Sequence, residues 1–529
     1  MLNNDATPSA DTLTDALRAS YDELPYANLP RYTTHPDCLA TAAHLRGLEV
    51  PPVATARVLE LGCSTGVNLI ALAVAIPGGH YTGIDLSTAH IDSAVSLAKT
   101  LGLEQVHFAA ADLRSLAGTL GEFDYIVCHG VYSHVPADVQ EAILSICAHS
   151  LAPNGVACIS YNTYPGWYMR GMIRDLLRWH VRDTPDLALQ VARAREFMQV
   201  LARHAQPPGG WYAGALGDES RILADSLDSY IAHEHLDPVN EPLYLTEFVA
   251  RARQHGLEYL GKALPEPQIE DLPGDLGAAL AGLADDPLAQ DQYFDCILGR
   301  AFHRTVLCRA SAAPQERTPL ETVQPLLIRA RATPVSEQPL VREIVEESFR
   351  TADGHAATSN DPLIKAMLVA LRRRAPGTLG FAVLQDEVRE MLAGAWPACY
   401  REDDPAPLAE ALLRLHRGSL LRLHTLDIAF ASEAGATPQA SEASVRGEIR
   451  FDPRRLLDVQ AAAGAPGSGR VAFELGPRGE RVIVLRALPG ASGSVEVTAS
   501  AQGVPGARGE TSAVRVEGSG TVQVGAARP

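Results

Sequence analysis

The turn between residues 57 and 66, together with one downstream acid, most constrains what this chain can fold into. Val58–Leu61 is a short apolar strand that runs into the turn Gly62-Cys63-Ser64-Thr65-Gly66, and a helical pattern follows. A second short strand, Tyr81–Ile84, ends in Asp85. This is the layout of a nucleotide-binding βαβ unit, in which glycine lets the backbone approach a ligand and the acid can bind ribose hydroxyls.

Glu60 decides between two classes of cofactor. A dinucleotide turn has the spacing G-x-G-x-x-G, so that a pyrophosphate can sit on the helix N-terminus. Here no third glycine follows at that spacing, and an acid two residues before Gly62 would repel a diphosphate. It suits the ammonium group of S-adenosylmethionine. The pattern resembles the first motif of class I methyltransferases, E/D-x-G-x-G-x-G, with Ser64 in place of the middle glycine. The alternative is an ordinary α/β turn without a ligand.

The segments downstream repeat the strand and helix rhythm. Val106–Ala110 precedes Asp112, Asp124–Cys128 opens into His129, and Val156–Tyr161 forms a fifth strand. Alternating strands and helices predict a parallel sheet with its ligand at the strand C-termini. In the methyltransferase superfamily an acid after the third strand reaches the adenine amino group. The predicted cofactor-binding residues are Glu60, Gly62, Cys63, Gly66, Asn68, Asp85, Leu86, Asp112, Leu113 and His129.

Several further segments resemble one family of bacterial methyltransferases, those that carry a methyltransferase regulatory domain. These segments are Tyr21–Tyr26, Thr34–Pro36, Glu60–Gly66, His129–Ser133, Ser160–Trp167, His233–Leu236 and Asn240–Tyr244. The family includes protein-lysine methyltransferases that act on outer-membrane proteins and have a C-terminal winged-helix module. The resemblance implies a Rossmann-like, seven-stranded class I methyltransferase sheet whose last strand is antiparallel. It also implies S-adenosylmethionine as the cofactor.

The chain is long enough for about three domains. Prolines and aromatics near the N-terminus predict a docked extended arm rather than a helix. Long helical periodicity follows the fifth strand, and three helical segments with one strand lie near residues 362–424. The predicted organisation is an N-terminal arm (1–36), a methyltransferase domain (37–310) with a helical insertion (163–243), a linker (311–339), a small, mainly helical, winged-helix-like domain (340–430) and an irregular Gly/Ala-rich tail, partly disordered (431–529).

The amino-acid composition limits which binding partners and which cellular compartment we expect. A net charge of −18 argues against nonspecific nucleic-acid binding, which needs a basic surface. The eight cysteines are scattered without a C-x-x-C pair, and the N-terminus is polar. We therefore expect reduced thiols in a cytoplasmic protein without a signal peptide. No apolar run approaches the length of a membrane span, about 18 residues. No metal site is expected.

Methyl transfer requires an aligned, uncharged nucleophile, which aromatic walls and hydrogen-bond acceptors can provide. The loops after the fourth and fifth strands meet at the predicted site, so the predicted catalytic residues are His129, Tyr161 and Asn162. Packing alone is the alternative for each of them. The loop His233-Glu234-His235 is either a lid or substrate wall, or a capped helix end.

Three functions remain open from the sequence. The first is an S-adenosylmethionine-dependent methyltransferase acting on protein lysine. The second is a small-molecule O- or N-methyltransferase whose insertion covers the pocket. The third is a non-catalytic cofactor-binding regulator, or a DNA-binding protein that uses the C-terminal module, which the acidic charge weakens and the basic run Arg372–Arg374 keeps open. The insertion carries apolar stripes that must be buried, so it either covers the active site or forms a homodimer contact.

Overall fold

The computed structural model describes residues 10–427, apart from 27–29, 269–270, 273, 285, 317, 395–400 and 402–403, and five strands beyond residue 468. The helices are α1 Ala10–Glu23, α2 Pro36–His44, α3 Val67–Ala75, α4 Thr88–Thr100, α5 Ala137–Ser150, α6 Gly166–Val181, α7 Leu187–His204, α8 Trp211–Asp225, α9 Asp228–Tyr230, α10 Leu245–Gln254, α11 Gly274–Ala281, α12 Pro287–Leu298, α13 Pro362–Arg374, α14 Phe381–Met391 and α15 Ala406–Arg417, with a π-helix at Ile231–Leu236. None of the helices described combines the length and apolar character that crossing a bilayer requires.

A seven-stranded sheet forms the centre of the first 310 residues. Its strands are β1 Arg57–Leu61, β2 His80–Asp85, β3 Val106–Ala110, β4 Phe123–Cys128, β5 Leu151–Asn162, β6 Leu257–Lys262 and β7 Phe302–Arg309. The order is β3-β2-β1-β4-β5-β7-β6. Neighbours from β3 to β5 are parallel, and β7 is antiparallel to both β5 and β6. The predicted Rossmann-like class I sheet with an antiparallel last strand is confirmed.

Both faces of the sheet are buried, and alternate residues of each strand belong to different cores. On β5, Ala157, Ile159 and Tyr161 pack in one hydrophobic cluster with α5 and α10. Val156 and Cys158 pack in the other, with α2 and α3. Because side chains alternate along a strand, neighbouring residues at the end of β5 face different environments.

The N-terminal arm differs from the prediction of an extended segment, because α1 is a helix of 14 residues. Thr14 and Leu17 are buried and Tyr21 is half-buried, while Asp15, Ala16, Arg18, Ala19 and Asp22 are exposed. This spacing places the three on one helical face against the body of the protein. The helix-breaking Pro25 comes only after α1 has ended.

Between β5 and β6 the chain forms the helical segment α6–α9 and the π-helix. These helices have their own core, which includes Ile173, Leu177, Val191, Met198 and Leu216. The segment returns to the sheet through Leu243, which bridges to Thr163 just after β5. The apolar stripes seen in the sequence are therefore buried mainly against each other, and one edge of the segment lies beside the strand ends.

The C-terminal unit packs α13–α15 around a large apolar core. Its strands are β8 Leu327–Ala330, β9 Ala332–Pro334, β10 Glu347–Thr351, β11 Ala356–Ser359, β12 Leu379–Gly380 and β13 Leu421–His424, in two three-stranded antiparallel sheets. The range 311–339, predicted as a linker, thus contributes two strands to this unit. The winged-helix assignment stays a prediction.

Most of the predicted tail, residues 431–529, lies outside the described residues. The five strands described there are β14 Gly469–Glu474, β15 Arg481–Arg486, β16 Ser492–Ser500, β17 Thr511–Glu517 and β18 Ser519–Val524. They form a three-stranded and a two-stranded sheet.

Asp37, in the first turn of α2, joins the domain of the seven-stranded sheet to the C-terminal unit. Its buried carboxylate accepts hydrogen bonds from the backbone N–H of Thr425 (2.7 Å) and Leu426 (2.9 Å), and His424 Nδ1 lies 2.7 Å from Oδ2. Burial acts to raise the pKa of Asp37, but the hydrogen bonds from His424 and Leu426 outweigh it and hold the pKa below its usual value. The carboxylate is therefore a charged, buried connection between two units.

Replacing Asp37 with Asn should lower the free energy of unfolding by about 3–5 kcal/mol, because a buried charged network loses one partner. Urea unfolding followed by circular dichroism measures this. Asp183→Asn is the matched control, since the Asp183 carboxyl is 83% exposed, beside Arg182. The depressed pKa of Asp37 predicts that its contribution is complete above the unfolded-state pKa of about 3.9 and is lost as pH falls through the folded-state pKa. Equal stability of the two variants at pH 7 would contradict this assignment.

Candidate active site

A cavity of about 380 Å³ lies at the carboxyl ends of the parallel strands, where the sequence places the ligand. It is bounded by the loops after β1 to β5, by α1 and by the helical segment after β5. Of the predicted site residues, those that line it are Glu60, Gly62, Asn68, Asp85, Leu86, Asp112, Leu113, His129 and Asn162.

The turn after β1 depends on left-handed backbone. Gly62 has φ +73°, and a Cβ there would lie 2.4 Å from Cγ2 of Val131. Only glycine lets the loop after β4 approach this closely. Ser64, which replaces the middle glycine of the motif, has φ 48°, a conformation that is costly for a residue with a side chain. Its backbone N–H donates to Asp85 Oδ2 at 2.8 Å, and this bond holds the turn.

Asp85 ends β2 and faces the cavity. Its Oδ2 accepts the N–H of Ser64, and its Oδ1 accepts the N–H of Ser87 at 2.9 Å. A carboxylate has about four lone-pair positions, so two remain for ligand hydroxyls. The position and free capacity of Asp85 match the predicted binding of a ribose diol.

Glu60 is buried, and its Oε1 accepts a hydrogen bond from Asn68 Nδ2 at 3.0 Å. Its Oε2 has no partner among the described residues. Burial raises the pKa of Glu60 to about 8, and the bond from Asn68 offsets only part of this. A buried carboxyl oxygen without a donor fits a ligand that brings an ammonium group, as S-adenosylmethionine does. The residues present therefore fit the predicted cofactor.

Asp112 lines the cavity, but its carboxylate is already engaged. Arg114 donates to it from Nε and from Nη2, the latter at 2.6 Å, and this interaction lowers the pKa of Asp112. Arg114 also contacts Asp11 of α1 at 2.7 Å. The predicted contact between Asp112 and adenine therefore competes with an ion pair, whereas Leu86 and Leu113 supply apolar surface on the same wall.

Two predicted cofactor residues act through the turn and do not line the cavity. Cys63 is 1% exposed and lies close to Gly83, beneath the turn. Gly66 is the N-cap of α3, with φ 69°, and a Cβ there would meet the ring of Phe108 at 2.4 Å. Both residues shape the turn without contacting the cavity.

His129 and Asn162 come from the ends of β4 and β5 and both face the cavity. Burial, with Arg31 and Arg304 nearby, lowers the pKa of His129 to about 3, so its ring is neutral. Its edge meets Phe302, with ring centroids 5.8 Å apart. Asn162 Nδ2 donates to Asn240 Oδ1 at 3.1 Å and lies 3.3 Å from Glu234 Oε2. A neutral ring and an amide thus sit where an acceptor would approach.

The structure corrects one of the three predicted catalytic residues, Tyr161. It is 1% exposed and does not line the cavity. Its ring stacks on Phe248 with centroids 4.1 Å apart, and its hydroxyl lies 3.0 Å from Thr305 Oγ1. Because Tyr161 and Asn162 are neighbours on a strand, only one of them can face the ligand, and it is Asn162.

The sequence missed α1 as a wall of the site. Thr14, Leu17, Arg18 and Tyr21 line the cavity from this helix. Tyr21 stacks on His233, with ring centroids 3.9 Å apart, and Asp22 accepts a hydrogen bond from Ser87 Oγ at 2.5 Å. The segment Tyr21–Tyr26 is one of the family-like motifs, but its aromatics and Pro25 concealed the helix that ends within it at Glu23.

Other lining residues also went unpredicted. They come from the N-terminal segment, α4, the helices after β5 and the start of β7, and they are Tyr26, Arg31, Thr34, His90, Arg170, Tyr230, Phe302 and Arg304. The loop around His233 was recognised as a possible lid or substrate wall. For Arg304 no local signal exists, because only the antiparallel pairing of β7 with β5 brings it to the strand ends.

Two family models match the chain. A "Methyltransferase domain" model matches residues 58–155, and a "Predicted methyltransferase regulatory domain" model matches residues 227–309. Among curated relatives, uncharacterized protein RP789 of Rickettsia prowazekii is 38% identical over 292 residues, which cover 54% of this chain and 52% of that protein. The matched region thus spans about half the length of this relative. RP028 of the same organism is 35% identical over 246 residues, covering 46% of this chain and 97% of that protein.

Solved structures extend the likeness into the C-terminal unit. PKMT2 from Rickettsia typhi is 26% identical with a TM-score of 0.69, over 80% of this chain and 82% of that protein. A second structure of PKMT2, in complex with AdoHcy, is 28% identical with a TM-score of 0.68 and the same coverage. The chain therefore belongs to the class I S-adenosylmethionine-dependent methyltransferases that carry a methyltransferase regulatory domain.

Replacing Asp85 with Asn should weaken S-adenosylmethionine binding about 10- to 100-fold, because the ribose loses a charged acceptor worth about 1.5–3 kcal/mol. Isothermal titration calorimetry measures the change. Asp92→Asn, at an exposed position of α4, is the control and should bind as the wild type does. NAD binding tighter than S-adenosylmethionine binding, in the wild type, would refute the cofactor assignment.

Tyr161→Phe should keep turnover within about twofold of the wild type, because the hydroxyl is hydrogen-bonded to the buried Thr305 and does not line the cavity. The lost hydrogen bond should lower the free energy of unfolding by about 1 kcal/mol. Asn162→Ala, the neighbouring change on the cavity side, should lower turnover at least about tenfold, as expected for an orienting group. Steady-state kinetics and urea unfolding of both variants test this. A large loss of turnover in Tyr161→Phe, with unchanged stability, would return Tyr161 to the active site.

Proposed function

We propose that this protein methylates the side-chain amine of lysine residues in a protein substrate, with S-adenosylmethionine as the methyl donor. The observation that carries the proposal is one continuous cavity. The predicted cofactor-binding groups Glu60 and Asp85 line this cavity together with Asn162, Tyr26 and Tyr230. Aromatic rings and an amide suit an amine nucleophile, because they favour its neutral form and orient it.

The roles proposed for His129 and Asn162 follow from the absence of negative charge on their side chains. When bound, the cofactor supplies an electrophilic methyl group on a sulfonium centre. His129 is neutral and Asn162 is an amide, so both can orient a nucleophile without placing a negative charge beside a sulfonium. We assign them as the residues that border the transferring methyl group. The cofactor-binding roles assigned to Glu60, Gly62, Asn68, Asp85, Leu86, Asp112 and Leu113 are part of the same proposal.

The likeness to PKMT2, a protein-lysine methyltransferase, supports a protein acceptor, because it extends over 80% of this chain. A small-molecule acceptor is the competing assignment. Three finer features belong to this proposal as well. The first is action in the cytoplasm, which the free thiols support. The second is a homodimer contact through exposed apolar residues such as Trp179 and Trp211. The third is a winged-helix role for the C-terminal unit.

Incubation of the full chain with methyl-tritiated S-adenosylmethionine and a bacterial lysate should place label in protein. Mass spectrometry of the labelled bands should then identify ε-N-methyl-lysine. Asp85→Asn at low cofactor concentration should lose most of the label, and Asp92→Asn should not. Label confined to small molecules would support the competing assignment, and intact cofactor binding without any transfer would support a regulator.

A further inference from the structure

Glu234, in the π-helix, faces the cavity and has unused hydrogen-bonding capacity. Its side chain is 15% exposed, and its Oε2 lies 3.3 Å from Asn162 Nδ2 and 3.6 Å from His134 Nε2. No hydrogen-bond donor approaches its Oε1 in the part of the chain that the structure describes. The nearby Asp237 differs, because it contacts both His233 (2.9 Å) and Ser20 (2.8 Å). Asp237 therefore holds the fold together, whereas Glu234 has room for a ligand.

Neighbouring residues fix the position of the Glu234 carboxylate. Asn240 Nδ2 donates to the backbone carbonyl of Glu234 at 3.1 Å, while Asn240 Oδ1 accepts from Asn162. His134 is 6% exposed and lines the cavity, and its Nδ1 is buried without a partner among the described residues. The carboxylate, the amide and the imidazole thus form a fixed polar group on one wall.

The surroundings favour a cation. Tyr26 and Tyr230 line the same cavity. Burial is the main cause that raises the pKa of the Tyr26 hydroxyl, and the charge of Glu234 adds to it, so this hydroxyl stays protonated and the side chain is neutral. Aromatic faces attract ammonium groups, and a carboxylate adds direct pairing. Four arginines also line the cavity, Arg18, Arg31, Arg170 and Arg304, and the buried Arg174 is close enough to interact with the charge of Glu234. None of them forms an ion pair with Glu234 in the described part of the chain. Arg170 Nε lies 3.7 Å from Glu219, and Arg174 donates to the backbone carbonyl of Asp237. The group that best fits Glu234 is a primary alkylammonium.

We propose that Glu234, with Asn162 and His134, forms the acceptor subsite, which binds the ε-ammonium of the substrate lysine. This inference rests on the proposed function. The subsite must also meet a chemical objection. A carboxylate beside an amine holds that amine as an ammonium, which is not a nucleophile. Proton transfer from the ammonium to the Glu234 carboxylate gives a neutral amine, whose nitrogen can then attack the methyl group. Glu234 thus binds the cation and then accepts its proton.

Binding of n-butylamine, a lysine side-chain mimic, tests the subsite directly. The full chain is saturated with S-adenosylhomocysteine, and butylamine affinity is measured by ligand-observed NMR titration. Glu234→Gln should weaken butylamine binding at least about tenfold. Glu241→Gln, at an exposed position seven residues away, should bind as the wild type does. 1-Butanol, a neutral mimic, should bind both variants and the wild type equally. Glu234→Asp should recover part of the lost affinity.

Each possible result of the butylamine titration either supports the acceptor subsite or overturns it. Wild-type protein that does not bind butylamine, or Glu234→Gln that binds it as the wild type does, would overturn the subsite. A parallel loss of S-adenosylhomocysteine affinity in Glu234→Gln would show a structural role and would also overturn it. Selective loss of butylamine binding supports the subsite. If that loss is seen while no lysine becomes labelled in the lysate, the subsite stands and the proposed protein substrate is wrong.

Discussion

The two backbone N–H groups held by Asp85 are the contacts on which the site depends. Parallel strands buried on both faces leave their ligand-binding surface at the strand ends, where chain turns must be fixed without help from the sheet. One carboxylate fixes two of these turns, through Ser64 after β1 and Ser87 at the N-cap of α4. The left-handed backbone at Ser64 persists because this hydrogen bond compensates for it.

The local signals in the sequence predicted most of the sheet and nine of the residues that line the cavity. The Gly-containing turn, Asp85 and the strand rhythm are short-range features, and a strand end with a glycine has few structural solutions. Tyr161 shows where local reasoning stops. A sequence places both Tyr161 and Asn162 at a strand end, but the face each takes depends on the pairing of β5 with β4 and β7, and on the position of α10.

Long-range packing explains the other differences. Glu234 lies 72 positions from Asn162, and only the return of the helical segment to Leu243 brings the two together. The helix α1 was hidden by the prolines that follow it, and Arg304 reaches the site through the antiparallel β7. The carboxylate of Glu234 is unexpected at a site of methyl transfer to an amine, and it fits the proposal that the acceptor first binds as a cation. The buried Asp37 likewise joins segments that are 387 to 389 positions apart.

The position of α1 has a consequence for the time course of the reaction. The helix lies across the cavity and is fastened at several points, by Asp22 to Ser87, by Ser20 to Asp237 and by Asp11 to Arg114. A ligand between α1 and the sheet cannot exchange with solvent through this wall while these contacts hold. Where a protein segment covers its ligand, opening and release often set the overall rate. We therefore expect the residence time of the demethylated cofactor to depend on how often α1 moves away from the cavity, although this helix contributes few groups to the chemistry.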